Sequence, residues 1–205
     1  KNCYKCIRNC PIKAIELKDG QAQVIENDCV LCGKCVLVCP QNAKEVRNDV
    51  SAARALIASG KKVFASVAPA FIASYGFSGI DEFSAYLKKL GFFDVSETAQ
   101  GAYVVKSEYE KMVENRAQDV IISSCCSTVV TMIQKYHPSI LKYVAPILSP
   151  MQTHAKLIKE ANPDAYVVFI GPCISKKHEA EAYDGYVDCV LTFDELNDWF
   201  SDDRS

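Results

Sequence analysis

No apolar stretch in this 205-residue chain approaches the roughly 18 to 20 residues that a membrane-crossing helix needs. The longest runs, Ala65 to Ala73 and Val167 to Ile170, fall well short, so no membrane partner is expected. An excess of one charge is missing too. Against 25 Asp and Glu stand 23 Lys and Arg, a net charge of −2, and no nucleic-acid partner is expected. Histidine is scarce, with three in all. His137 precedes Pro138 at a helix end, His154 and His178 read as helical or loop surface, and none has a second His at ligand spacing. Structural or solvated roles are expected of them. The chain opens Lys1-Asn2-Cys3, with neither an initiator Met nor a charged-then-apolar leader, and a cytoplasmic location is the expectation.

Cysteine is abundant: there are 11, and seven lie in the first 39 residues. A secreted disulfide scaffold would be smaller, would carry an even number, and would lack a large apolar second half. Metal binding fits better. Cys29, Cys32, Cys35 and Cys39, followed by Pro40, form C-x2-C-x2-C-x3-C-P without deviation. Three thiolates at this spacing wrap one face of a 4Fe-4S cubane, while the fourth ligates the other cluster of a two-cluster ferredoxin. Cys3, Cys6, Cys10 and Pro11 repeat the last three cysteines and the proline of that pattern. The missing first cysteine is expected immediately before Lys1, in a longer parent protein. By the crossed rule, one cluster takes Cys10, Cys29, Cys32 and Cys35, and the other takes Cys3, Cys6, Cys39 and the absent residue. The second cluster should be labile with only three thiolates. Zinc is the competing metal, but structural zinc sites pair two C-x2-C units across a long loop. Between the two runs, Asp19-Gly20 flanked by alternating apolar residues signals a hairpin.

Residues 1–47 are therefore expected to form an α+β, ferredoxin-like module with two 4Fe-4S clusters. Residues 48–205 should form an α/β domain with a mostly parallel sheet. Short β-branched runs at Val63 to Val67, Val120 to Ser123 and Ala165 to Ile170 read as strands. A helical stretch from Val50 to Ser59 precedes them. Helical spacing marks Phe83 to Leu90, Ala102 to Asn115, Thr128 to Tyr136 and Gln152 to Glu160. In such sheets chemistry collects where loops leave the C-terminal strand ends. Two cysteine-bearing segments fall there, Ser123-Ser124-Cys125-Cys126 and Gly171-Pro172-Cys173. A helix N-terminus lowers a thiol pKa, which suits thiolate ligands or nucleophiles, whereas the alternative is a small apolar Cys packed under the sheet. Cys189, in Val187-Asp188-Cys189-Val190-Leu191, reads as core packing. Lys61-Lys62 and Lys176-Lys177 read as solvated surface, the alternative being a patch that attracts an acidic ferredoxin.

Taken together, these segments resemble the FeFe hydrogenase large subunit. Ser123-Ser124-Cys125-Cys126 is similar to that family's T-S-C-C-P motif, and Gly171-Pro172-Cys173 through Glu179 to its M-P-C-x-x-K-x-x-E motif. Val67-Ala68-Pro69-Ala70, Lys89-Leu90-Gly91-Phe92 and Ser149-Pro150 extend the likeness. The resemblance implies a two-cubane module that feeds electrons to an H-cluster, a cubane joined to a di-iron centre. It implies Cys126 and Cys173 as cubane ligands, Cys125 as the thiol that passes protons, and Lys176 as a donor to an iron-bound cyanide. Ser127, Val129 and Gly171 stand where the family has Pro, Trp and Met, and Ala145 where it has the relay Ser. The family glutamates have no secure counterpart, although Glu108 and Glu110 lie nearby. The family's third motif, with two more cysteines, is not found before Ser205.

Two functions follow from the resemblance. One is an electron-transfer fragment of a hydrogen-oxidising, proton-reducing or hydrogen-sensing protein, with an H-cluster only in the intact parent. The other is a redox-sensing or iron-sulfur scaffold protein with the same fold and no di-iron site. The implied partners are a ferredoxin or similar redox protein and the missing C-terminal part of the parent. Loss of that part should expose apolar sheet surface, with self-association or disorder near the C-terminus.

Overall fold

The computed structural model describes residues 2–183 and 185–202. The position before Lys1 and the extreme C-terminus, on which two expectations fall, lie outside the described residues.

The cysteine-rich segment folds as α1 (Lys5–Asn9), β1 (Ile15–Lys18), β2 (Gln21–Val24) and α2 (Lys34–Leu37). Asp19 and Gly20 both adopt positive φ, 51° and 74°, which is what a two-residue hairpin turn of the primed type requires. The antiparallel register runs from Ile15 opposite Val24 to Lys18 opposite Gln21. The two cysteine runs share one backbone path. Tyr4 and Gly33, each just after a cysteine, are left-handed and start α1 and α2. Lys13 and Asn42, each three residues past the last cysteine of its run, are left-handed as well. Cys6, Cys10, Ala14 and Ile15 form a small core of their own.

The larger part runs α3 (Val50–Ala58), β3 (Val63–Val67), α4 (Phe71–Tyr75), α5 (Ile80–Lys89), β4 (Asp94–Glu97), α6 (Ala99–Glu114) and α7 (Ser127–Tyr136). A 3-10 turn at Pro138–Tyr143 leads to α8 (Pro150–Ala161), β5 (Tyr166–Gly171), α9 (Ser175–Ala182), β6 (Cys189–Thr192) and α10 (Phe193–Asp202). The four strands are parallel, in the order β4-β3-β5-β6. Side chains alternate across such a sheet, and both faces are covered here. Val63, Ala65, Val67, Val168, Ile170 and Leu191 face one core, shared with Phe83, Leu87, Leu196 and Trp199. Phe64, Val167, Phe169 and Val190 face the other, against Met151, Ala155 and Ile158 of α8. The sheet surface expected to lie bare is thus covered: β6 is buried along its whole length.

Two sequence expectations fail in this part. Val120 to Ser123 is no strand of the sheet. It makes one isolated parallel bridge, Ile122 to Val144, and Val120 is 52% exposed. The strand that completes the sheet is β4, whose sequence Asp-Val-Ser-Glu lacks the β-branched signature because it lies half-exposed at an edge. Helix starts run earlier than the periodicity suggested, by three residues each at α5 and α6.

Candidate functional site

Cys10, Cys29, Cys32 and Cys35 line one cavity of about 820 Å³. The hairpin carries Cys10 back toward the second run, and the left-handed Leu31 and Gly33 turn the chain around the space. Backbone N–H groups point at sulfur: Ala14 N donates to Cys10 Sγ at 3.3 Å and Leu31 N to Cys29 Sγ at 3.4 Å. Burial raises the Cys35 thiol pKa, and the neighbouring Cys29 and Cys32 add to the rise. Four thiolates gathered around one cavity would fit a polynuclear cation, whose iron would compensate their charge. A mononuclear zinc site needs its ligands around one ion. Among the described residues no three His, Cys, Asp or Glu side chains are so arranged.

Cys3, Cys6 and Cys39 do not line that cavity. Cys3 is exposed, Cys6 is buried in the small core, and Cys39 is half-buried. Cys39 repeats the Cys10 arrangement, with Ala43 N donating to its Sγ at 3.3 Å. That N–H leads the causes that lower the Cys39 pKa.

The second group of cysteines sits where two helices begin. Cys126 caps α7, and Cys173 lies on the loop from β5 into α9. Ser127 Oγ and Ser175 Oγ, 2.8 Å apart, bridge the two helix starts, and Cys173 Sγ is 2.9 Å from Ser175 Oγ. Lys176 Nζ donates to the carbonyl of Cys125 at 3.3 Å and pairs with Glu179 Oε2 at 2.5 Å. Glu179 also accepts from Ser149 Oγ, the N-cap of α8. Cys125 lines a separate cavity of about 570 Å³ with Tyr109, Glu110 and Ser123. Cys125, Cys126, Cys173 and Lys176 are thus neighbours across two loops. Cys126 and Cys173 provide half the thiolates that a cubane takes, so alone they do not fit a complete cluster.

Residues 61–204 match the iron-only hydrogenase large subunit, C-terminal domain, and residues 1–43 match the 4Fe-4S dicluster domain. The chain belongs to the iron-only hydrogenase large-subunit family. Among curated relatives, the cytosolic Fe-S cluster assembly factor NAR1 of Yarrowia lipolytica is 27% identical over 210 residues, covering 85% of this chain and 43% of the relative. Iron hydrogenase 1 of Clostridium pasteurianum is 29% identical over 159 residues, covering 69% of this chain and 28% of the relative. The NADP-reducing hydrogenase subunit HndD of Solidesulfovibrio fructosivorans is 28% identical over 178 residues, covering 74% and 30%. The chain therefore spans less than half the length of these curated relatives. No helix among the described residues is long and apolar enough to cross a membrane.

Within this hydrogenase-like chain, one departure from the family motifs, Gly171, has a local reason. A Cβ at Gly171 would lie 2.8 Å from the Phe169 ring, so the Met of the family motif has no room. Ala145 is buried, and its N–H is bound to the Ile122 carbonyl at the lone bridge. Two readings of charged residues are corrected. Lys176 and Lys177 are not solvated surface: the Lys176 side chain is 13% exposed and paired with Glu179, and Lys177 is a buried ion-pair centre, 2.6 Å from Asp49 Oδ2 and 2.9 Å from Glu195 Oε1. His154 is 1% exposed rather than on a helix surface, with Nδ1 at 2.7 Å from Ser66 Oγ and Nε2 at 3.2 Å from Ser96 Oγ. Cys189 is buried, as expected of core packing, and burial pushes its thiol up to about 12.

Sequence reasoning missed the residues that join the two parts. Lys135 and Tyr136, at the end of α7, bind carbonyls of the loop that leads into Cys29. No local pattern marks them, because their partners lie more than 100 residues earlier.

Proposed function

We propose that residues 1–47 hold two 4Fe-4S clusters and pass single electrons toward a cluster site at Cys126 and Cys173 in residues 48–205. The parent would be a hydrogen-oxidising, proton-reducing or hydrogen-sensing protein of this family. Iron-sulfur clusters supply one-electron transfer when bound. The observation that supports this reading is a contact between the two cysteine regions. Gly33, next to Cys32, faces Ile174, next to Cys173: a Cβ on Gly33 would meet Ile174 Cδ1 at 3.5 Å, an ordinary van der Waals contact.

The protein groups have separable tasks in this reading. Cys10, Cys29, Cys32 and Cys35 hold the inner cluster, and Cys3, Cys6 and Cys39 hold the outer one. Cys125 holds a proton on its thiol beside the cavity lined by Tyr109 and Glu110. Lys176 keeps a cationic donor between Glu179 and the Cys125 carbonyl. An H-cluster would require an intact parent that adds two cysteines to Cys126 and Cys173. The proposed partners are a ferredoxin-type carrier and the rest of that parent, in the cytoplasm.

Anaerobic reconstitution followed by iron and sulfide analysis tests the module. Cys10→Ala should abolish the inner cluster's electron paramagnetic resonance signal and spare the outer one, while Cys39→Ala should do the reverse. A wild-type protein that takes up no iron and sulfide, or a Cys10→Ala variant with both signals intact, overturns the reading.

A second reading, a redox-sensing or cluster-scaffold protein without a di-iron site, draws on Lys176, whose ammonium is paired with Glu179. The relatives named as cluster assembly factors point the same way. Infrared bands of iron-bound cyanide in the matured parent support the first reading. Their absence in a parent with its cubanes loaded supports the second.

A further inference from the structure

The end of α7 grips the loop that enters the second cysteine run. Lys135 Nζ donates to the carbonyl of Cys29 at 2.7 Å and to that of Glu26 at 3.2 Å, while Tyr136 Oη donates to the Asp28 carbonyl at 2.6 Å. Lys135 also lines the cavity shared by Cys10, Cys29, Cys32 and Cys35.

The placement of this cation matters because the two cysteine runs share one backbone path around their last cysteines. Each has a left-handed residue three positions past its last cysteine and an N–H four positions past it, bound to sulfur at 3.3 Å. Leu31 N adds a donor to Cys29 Sγ at 3.4 Å, while the matched pair of donors treats the two clusters alike. The ammonium of Lys135 does not, since it rests on the carbonyl of a ligand of one cluster. Both of its acceptors are carbonyls, so these bonds leave its positive charge uncancelled. Of the other cations on the cavity wall, Lys34 is exposed, and Lys44, bound to the Ala22 carbonyl at 2.6 Å, acts on Cys35 of one cluster and Cys39 of the other alike, while two more are paired with carboxylates. Arg47 pairs with Glu181, and Lys177 with Asp49 and Glu195.

A cubane gains one negative charge on reduction, and potentials of such clusters respond to nearby charge and to hydrogen bonds around the ligands. We infer that Lys135 tunes the cluster on Cys10, Cys29, Cys32 and Cys35, raising its reduction potential above that of the cluster on Cys3, Cys6 and Cys39. An electron donated by a low-potential one-electron carrier then settles on the side of the module that faces Cys173. Lys135 is a positioning residue in this role, because it acts through the Cys29 peptide. The inference rests on the proposed two-cluster module.

The test uses the full protein, reconstituted anaerobically and titrated with dithionite while paramagnetic resonance follows each cluster. Lys135→Met should shift the reduction equilibrium of the inner cluster by about tenfold toward the oxidised form, which is about 59 mV for one electron. Lys135→Arg keeps the charge and should stay within about twofold of wild type. Tyr136→Phe removes a clamping bond but no charge, and should leave the potential in place. An unmoved inner cluster in Lys135→Met overturns the inference, as does an equal shift in Tyr136→Phe or a shift confined to the outer cluster. Iron and sulfide content separates the two failures. A wild type without clusters refutes the module itself, whereas full clusters with an unmoved potential refute only the role of Lys135.

Discussion

Lys177 Nζ lies 2.9 Å from Glu195 Oε1, and both side chains are almost wholly buried. Lys177 also reaches Asp49 Oδ2 at 2.6 Å and the Val190 carbonyl at 2.9 Å. Glu195 accepts from the N–H groups of Asp49 and Thr192. This network ties the segment after the cysteine-rich module to α9, β6 and α10.

Removing the cation should therefore cost more than a surface pair would. In Lys177→Met, Glu195 keeps its charge in a low-dielectric site without a cation, Asp49 retains only Arg47, and about 3–5 kcal/mol of stability should be lost. Urea unfolding followed by Trp199, the single tryptophan, at 3% exposure, measures this directly. A loss below about 1 kcal/mol, the scale of an exposed pair, would show that the network carries little.

His154 predicts a pH dependence. Burial pushes its imidazole down to about 4, against about 6.5 for an unfolded histidine. The unfolded chain takes up a proton in this interval while the folded chain does not. The stability is thus fully present above pH 6.5 and is lost as pH falls toward 4, by about 3 kcal/mol in total. His154→Gln should flatten that slope between about pH 5 and 7 in denaturant titrations. An unchanged slope would assign the dependence to other groups.

Gly101 marks the closest approach of α6 to α8. An added Cβ would lie 2.3 Å from the Pro150 carbonyl oxygen and 2.8 Å from the backbone N of His154. Gly101→Ala gains up to about 1 kcal/mol of helix propensity, but the collision with backbone should reverse the sign. A net loss of about 1–3 kcal/mol is expected, seen as a lowered melting temperature. A melting temperature equal to or above wild type would mean that the helices part at no cost.

These three positions also show what the sequence reveals and what it hides. The cysteine spacing, the Asp19-Gly20 turn and the strands β3 and β5 are legible because each depends on neighbours a few residues away. Lys177 is not, since its burial depends on Asp49, 128 positions earlier, and on Glu195. His154 left a signal that went unread. Met151, Ala155 and Ile158 form the apolar stripe of α8, and position 154 lies on it. At the cysteines the same division holds. Spacing alone groups Cys10 with Cys29, Cys32 and Cys35, whereas the closeness of Gly33 to Ile174 needs the tertiary structure.

The clamp from α7 also sets an order of events during synthesis. Lys135 binds a carbonyl that the ribosome has released 106 residues earlier, and Tyr136 one released 108 residues earlier. At about 5–20 residues per second, translation leaves roughly 5–20 s in which the cysteine-rich segment is out and its lid is not yet made. During that interval the loop into Cys29 lacks the two contacts that α7 later makes with it.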